Sequence, residues 1–481
     1  MLTAGIITKV LVRTVTNNKE IFTRLIIGVL IYSTILSYQT YNTSIQDTPI
    51  LGGLFHTNNL INGIEMYIFI LSVLLISFLI GRDDLVAEYR IILGFSILGM
   101  ITLIESYDLI STFLAIELQS LSLYVIATIS RKEATAAGLK YFLLGSLSSA
   151  IFLLGLVLIY SLTGITQYDG FNILYAPINE LTTSNIIGDE EYKNFVLGGI
   201  ILITIGLLFK IGAAPFHNWA PDVYDNVPTI VTSWLAIMGK ISILSFLFVL
   251  KSTGVFAESL ESFTLITLSA TLSLIIGSIL GLVQYRIKRL LAYSSISHLG
   301  FLLIGLAIDN GLAVSSFLFY MFQYWLSLIS IFAILIESET HQKSSLQSIS
   351  SLRFLKFNPA LIFALIISLF SLTGIPPLIG FFGKQMILYT SLLNGYYFIS
   401  TIAICTSVIS AAYYLRIVKT ISFTLEDNNS KDPRESLDSL TSSRPLSWII
   451  SIITLITLLF FINTSVLLNF THGFAVWNLL S

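Results

Sequence analysis

Four lysines stand where lysine is most costly: Lys140, Lys210, Lys240 and Lys384 each lie inside a long apolar stretch, and Glu117 lies near the centre of another, in FLAIELQSL. Ionisable groups in a bilayer core are expensive and characteristically line ion or proton paths. His217 and His298 are the other titratable groups in such stretches, and imidazole exchanges protons near neutral pH. These residue types point to translocation of protons or ions.

Each position has its own chemistry. An isolated carboxylate at the depth of Glu117 is driven to take up a proton, whereas a lysine about 7 Å away at an effective dielectric near 20 offers about 2.4 kcal/mol of attraction. Desolvation opposes both charges, so such a pair either rests as a buried ion pair or switches charge state when one partner moves. Lys240, in LAIMGKISILSF, falls about twelve residues, or about 18 Å, into its stretch, beyond easy reach of either surface. It is the strongest single candidate for a relay site, and Lys384 is the next. Lys140 sits about two turns into its helix beside Arg131 and Lys132, where snorkelling to the surface competes with a relay role. His217 follows Lys210 by seven residues, two turns along one face if the helix runs through Pro215. His298 has Ser294, Ser295 and Ser297 close by. A lone histidine on an apolar face is more often a satisfied core residue, so the histidines rank below the lysines. Tyr293 and Tyr413 could hold water between sites, but with 22 tyrosines in the chain they carry little weight.

The elements that must position these groups follow from the composition. Of 481 residues 55% are hydrophobic and 11% are charged. Soluble domains carry about 25% charged residues. The chain therefore reads as an all-α polytopic membrane protein, a single integral membrane domain over residues 1–481. Crossing about 30 Å of hydrocarbon takes an apolar run of about 20 residues. Such runs cover 21–40, 64–81, 89–105, 109–130, 136–162, 195–218, 228–250, 262–283, 289–308, 312–336, 359–390, 395–415 and 447–469. Residues 1–16, interrupted by Lys9 and Arg13, lack a clear cleavage site and read as retained, either crossing or lying on the surface. Alternating loops collect Lys19, Arg24, Arg82, Arg90, Arg131, Lys132, Arg286, Lys288, Arg289, Lys343, Arg353, Lys356, Arg416, Lys419, Lys431, Arg434 and Arg444 on one side. The other side receives Lys193 and Lys251. One missed or invented helix would scramble that asymmetry, which matches the positive-inside rule.

Two stretches cannot be straight helices. Gly212, Pro215 and Pro221 follow Lys210, and Gly374, Pro376 and Pro377 precede Lys384 inside a run too long for one crossing. Proline removes a helix hydrogen bond and clashes with the preceding turn, so both stretches should break. Freed backbone groups at membrane depth survive only where protein or a watery cavity satisfies them, and broken helices paired between halves are the mark of inverted-repeat transporters.

Other chemistries lack residues. One cysteine, Cys405, cannot ligate an iron–sulfur cluster or form an internal disulfide. His56, His341 and His472 have no metal-ligand spacing. No glycine-rich phosphate loop opens a helix after a strand, and no basic patch suits nucleic acid.

The blocks DLISTFLAIELQSLSLYVIA (Asp108 to Ala127), LKYFLLGSLSSA (Leu139 to Ala150), GLLFKIGAAPFHNWAPDVYDNVPTIVT (Gly206 to Thr232), KRLLAYSSISHLGF (Lys288 to Phe301) and GIPPLIGFFGK (Gly374 to Lys384) resemble the antiporter-like membrane subunits of respiratory complex I. The resemblance implies about fourteen transmembrane helices, with two inverted five-helix repeats at 88–250 and 262–421, each holding a broken helix, and a C-terminal crossing at 447–469. It implies that Lys210 partners Glu117, that Lys384 lies at the far end of the proton path beside the next subunit, and that His217 and His298 bridge the lysines through water. The expected function is proton translocation driven by NADH oxidation and ubiquinone reduction elsewhere in the complex. NADH, FMN, iron–sulfur clusters and ubiquinone would be bound by other subunits, with no cofactor or metal in this chain. Expected partners are the other membrane-arm subunits, neighbouring antiporter-like subunits among them, and membrane lipids, in the mitochondrial inner membrane. A subunit of a multisubunit cation/proton antiporter and a structural subunit with a vestigial channel are the alternatives.

Overall fold

A computed structural model describes residues 19–42, 48–81, 87–129, 132–168, 170, 189–252, 260–342, 348–422 and 444–480. The expected segment 1–16 lies outside the described residues. Helix α1 (Lys19–Asn42) leads through an antiparallel hairpin, β1 (Thr48–Ile50) and β2 (Phe55–Thr57), into α2 (Asn59–Ser77). The first repeat comprises α3 (Ala87–Glu105), α4 (Leu109–Thr128), α5 (Lys132–Thr163), α6 (Asp189–Ile211) with its short continuation α7 (Trp219–Asn226), and α8 (Thr229–Ser252). The second comprises α9 (Leu260–Val283), α10 (Ile287–Ala307), α11 (Gly311–Gln342), α12 (Pro359–Thr373) with its continuation α13 (Ile379–Leu393), and α14 (Tyr397–Ser422). The chain ends in α15 (Arg444–Leu459) and α16 (Ser465–Leu480).

The two repeats correspond element by element. The third helix of each, α5 and α11, runs for 32 residues, and the fourth crossing of each is broken. Each repeat thus holds three helices, a broken fourth and a fifth. The first two helices of each repeat approach closely at glycines. A Cβ on Gly99 of α3 would lie 2.6 Å from the Gln119 nitrogen of α4, and one on Gly277 of α9 would lie 2.5 Å from the Ser297 nitrogen of α10. Small residues let helix backbones meet where lipid supplies no hydrophobic drive between helices.

Both breaks form where proline and glycine predict them. The helix α6 ends before Gly212, whose φ is 73°, and α12 ends at Gly374, whose φ of 85° is a left-handed cap. A cis X–Pro bond follows in each, Ala214–Pro215 and Pro376–Pro377. Freed carbonyls find donors: Trp219 Nε1 donates to Phe209 O at 2.9 Å in the first break, and Lys384 Nζ donates to Thr373 O at 2.8 Å in the second.

Eleven helices among the described residues are long and apolar enough to cross a membrane, against about fourteen expected. The 359–390 stretch is divided by its break into two shorter helices, and α3 carries Glu88, Arg90 and Glu105. Other boundaries also shift. The Asn58 side chain accepts from the Ile61 N–H at 2.8 Å, so α2 starts at Asn59, ahead of the expected position 64. The single C-terminal helix expected at 447–469 is two: a 3-10 turn at Phe460–Ile462 and the non-helical Asn463 (φ −138°, ψ 75°) separate α15 from α16. Ser465 Oγ donates to Asn463 Oδ1 at 2.9 Å there. Local hydrogen bonding of this kind competes with the helix.

Burial sets the layers. The apolar span of α8 is 100% buried and those of α10 and α11 are 94% buried, whereas α1, α14 and α15 stand at 33%. The helices α8, α10 and α11 are apolar nearly all round, as helices buried on every side are. Lys240 and His298 lie on two of these three helices.

Candidate functional site

The first break brings Lys210, at the end of α6, against Glu117 in the middle of α4. Lys210 Nζ lies 3.4 Å from Glu117 Oε1, with the lysine side chain 7% and the glutamate side chain 25% exposed. The pairing expected from the resemblance is therefore in contact. Halving a separation of about 7 Å roughly doubles the Coulomb attraction. Lys210 and Lys240 line one small shared cavity of about 20 Å³, with Gln119, Ser120 and Ser148 among its polar walls. Gln119 ties α4 to α8 beside it: its Nε2 donates to Gly239 O at 3.3 Å and its Oε1 accepts from Ser242 Oγ at 3.0 Å.

Lys240 is 1% exposed, as its depth in the sequence predicts. Its ammonium donates to Ser295 Oγ on α10 at 2.8 Å and lies 5.5 Å from the centroid of the Tyr224 ring. Ser295 Oγ in turn donates to Ala292 O at 2.7 Å, which leaves its lone pairs facing the lysine.

One turn beyond Ser295, His298 sits in a cage of tyrosines. Its Nδ1 lies 2.6 Å from Tyr320 Oη on α11, its Nε2 lies 3.1 Å from Tyr414 Oη on α14, and the Tyr324 ring stacks on it at 4.7 Å. Lys384 itself is buried, 5.5 Å from the Phe301 ring centroid, and its aliphatic stem passes so close to Gly374 that a Cβ there would meet Lys384 Cδ at 3.0 Å.

Two expected placements change. His217 does not share a helical face with Lys210, because α6 ends at Ile211 and His217 falls in the connecting turn. It is buried there, with its ring 6.5 Å from Tyr293, toward the basic side of the protein. Lys140 is not enclosed with the other lysines: its side chain is 44% exposed and paired with Asp222 on α7. Asp222 also pairs with Arg289 at 2.9 Å, and Asp225 pairs with Arg286 at 2.6 Å, so the basic start of α10 grips the helix that follows the first break.

Sequence reasoning passed over Gln119, Tyr320, Tyr324, Tyr414 and the carboxylate Asp222. A signal was present for two of them: Tyr320, Gln323 and Tyr324 recur at i, i+3 and i+4 in an otherwise apolar run. That spacing puts them on one helix face. Glu65 and Glu105, whose side chains interact near the end of α3, were also missed, since both fell at expected span edges.

Residues 106–410 match the family model described as NADH:quinone oxidoreductase/Mrp antiporter, TM. NADH-ubiquinone oxidoreductase chain 2 of Rhizopus oryzae is 44% identical, over 94% of this chain and 94% of the relative. NADH-quinone oxidoreductase subunit N of Paramagnetospirillum magneticum is 37% identical, over 80% of this chain and 74% of its own length. Among solved structures, a chain of respiratory complex I from Thermus thermophilus superposes with a TM-score of 0.76 at 25% identity, covering 97% of both chains. Matched by the family model over most of its length and by a curated relative over nearly all of it, the chain belongs to the NADH:quinone oxidoreductase/Mrp antiporter family of membrane subunits.

Proposed function

We propose that this chain is a proton-translocating core subunit of the membrane arm of NADH:ubiquinone oxidoreductase, multi-pass in the mitochondrial inner membrane and seated among other membrane-arm subunits. The observation that carries the reading is the series of buried polar groups spanning both repeats. It runs from Glu117–Lys210 through a shared cavity to Lys240–Ser295, then to the His298 cage and Lys384 beside the second break. The similarity to subunits named for NADH and quinone chemistry supports membership of that complex.

In this reading Glu117 and Lys210 form the coupled switch, Lys240 is the central relay, and Lys384 is the outlet or the link to a neighbour. His298 connects the last two. His217 serves the basic-side approach, and Lys140 takes part through Asp222. A buried ammonium is costly unless paired, so a shift of either broken helix changes which lysine holds a proton. The chain contributes to the oxidoreductase as its proton-moving part. Redox energy arrives from elsewhere in the complex. With a single cysteine, this chain supplies no cluster of its own.

The test is Lys240→Ala in the assembled complex. Proton pumping should be lost or sharply reduced while assembly survives, and a normal proton-to-electron ratio would overturn the reading. Sodium-dependent proton flux without NADH dehydrogenase activity would instead favour a free-standing antiporter.

A further inference from the structure

Glu117 and Gln119 stand two residues apart on α4 and serve different helices. Two residues of an α-helix turn through about 200°, so their side chains leave α4 on nearly opposite faces. Glu117 meets Lys210 at the end of α6, whereas the Gln119 carboxamide reaches α8. Its Nε2 donates to Gly239 O at 3.3 Å and its Oε1 accepts from Ser242 Oγ at 3.0 Å. Gly239 and Ser242 bracket Lys240 in the chain.

Both ends of this tie are fixed. Gln119 is buried, and a Cβ on Gly99 of α3 would lie 2.6 Å from its backbone nitrogen, so α3 holds this point of α4 in place. A Cβ on Gly239 would lie 3.2 Å from Leu123 Cδ1, so α8 packs against α4 at the residue before Lys240. From the clamped turn Lys240 reaches Ser295 on α10, and with Gln119 and Lys210 it lines the small shared cavity. Close-packed interiors transmit displacement rather than absorb it. A shift of α4 that opens the Glu117–Lys210 pair therefore pulls on Gly239 and Ser242, and Lys240 moves with them.

We propose that Gln119 is a positioning residue that holds the Lys240 turn in register with Glu117, so that a change in the switch pair reaches the central lysine. This rests on the proton-translocating reading above. Gln119 itself neither takes up nor releases a proton. Its part is to present one donor to Gly239 O and one acceptor to Ser242 Oγ at the same time, as a carboxamide can.

The experiment compares Gln119→Met, Gln119→Glu, Ser96→Ala and Lys240→Ala in the assembled complex, reading NADH oxidation and proton yield in proteoliposomes as a function of pH. Gln119→Met keeps the side-chain length and removes both bonds. In Gln119→Glu the introduced carboxyl offers the same donor and acceptor while it is protonated, and only acceptors once it ionises. Ser96→Ala is the control, because Ser96 Oγ on α3 accepts from Trp234 Nε1 on α8 at 3.1 Å, a buried tie to the same helix whose two residues do not line the cavity.

A misplacement of about 1 Å costs up to about 10²-fold, so Gln119→Met should lower coupled turnover by at least about tenfold at every pH. Taken as a ratio to the wild type at each pH, Gln119→Glu should approach the wild type at the acid end and fall by at least about tenfold toward the alkaline end. Ser96→Ala should lose thermal stability and keep its turnover. Wild-type turnover in Gln119→Met, with Lys240→Ala still defective, would overturn the positioning role alone. A Gln119→Glu ratio that is flat with pH would overturn it too, by assigning the residue to packing, as would a loss in Ser96→Ala equal to that in Gln119→Met. Normal pumping in all four variants would overturn the proton path itself. Should Gln119→Met fail to assemble, the pH dependence of Gln119→Glu decides.

Discussion

Lys240 Nζ donates to Ser295 Oγ at 2.8 Å, a single bond that joins the centre of the first repeat to the second helix of the other. The serine gives its own hydroxyl proton to Ala292 O, so it faces the lysine as an acceptor and stabilises the ammonium. A hydrogen bond to a charged group is worth about 1.5–3 kcal/mol.

Ser295→Ala therefore leaves the Lys240 ammonium without this partner. Coupled NADH oxidation should fall by about tenfold or more, taking about 1.4 kcal/mol as one decade. Ser295→Thr, which keeps the hydroxyl, should retain most of it. Equal rates in the wild type and Ser295→Ala would show that the bond has no part in turnover.

Glu117→Gln removes the negative member of the buried pair with Lys210 and leaves a lysine side chain 7% exposed beside a neutral amide. Breaking a buried pair on one side costs far more than exchanging both partners. Proton yield per NADH should drop in Glu117→Gln, and the exchanged pair Glu117→Lys with Lys210→Glu should recover part of it. Assembly of each variant on native gels separates folding from function.

Gly374→Ala and Gly395→Ala form a matched comparison. Both glycines have left-handed φ, 85° and 82°. An alanine in that region costs about 1–2 kcal/mol. Only at Gly374 would the new Cβ press on Lys384, at 3.0 Å from Cδ; at Gly395 nothing lies within 4 Å. Both variants should lose similar thermal stability, and only Gly374→Ala should lose pumping. Loss in both would assign the effect to backbone strain.

The Lys140 side chain is 44% exposed. Exposed ion pairs are worth about 0.2–1 kcal/mol, so Lys140→Ala should lower turnover by no more than about fivefold. Asp222→Asn should have the larger effect, since that carboxylate also holds Arg289 at 2.9 Å. Steady-state NADH oxidation by membranes carrying each variant measures the ranking. Lys140→Ala as damaging as Lys240→Ala would return Lys140 to the central path.

Much of the site was legible because its causes are local. Apolar length marks a crossing, proline and glycine break it, and a charge inside it stands out whatever the neighbours are. Lys210, Lys240, Lys384, Glu117 and both breaks were all visible in this way. Span edges moved where a side chain supplied a cap, as Asn58 does for α2, and where polar residues interrupted an apolar run, as Asn463 does between α15 and α16. His217 was misaligned because a helical spacing was carried across a break that ends the helix at Ile211.

By itself the sequence determined the all-helical membrane class, the pair of broken helices and the depth of each lysine, since these depend on residue type and on position along one helix. Tertiary structure decided the partners. The helices α8, α10 and α11 are apolar nearly all round, so their periodicity does not say which face meets which neighbour. Only the packed bundle sets Ser295 against Lys240, encloses His298 between Tyr320 and Tyr414, and gives Asp222 to both Lys140 and Arg289. Those contacts join residues far apart in the chain, and bringing them together takes the close crossing of helices at small residues and the turns that both breaks supply.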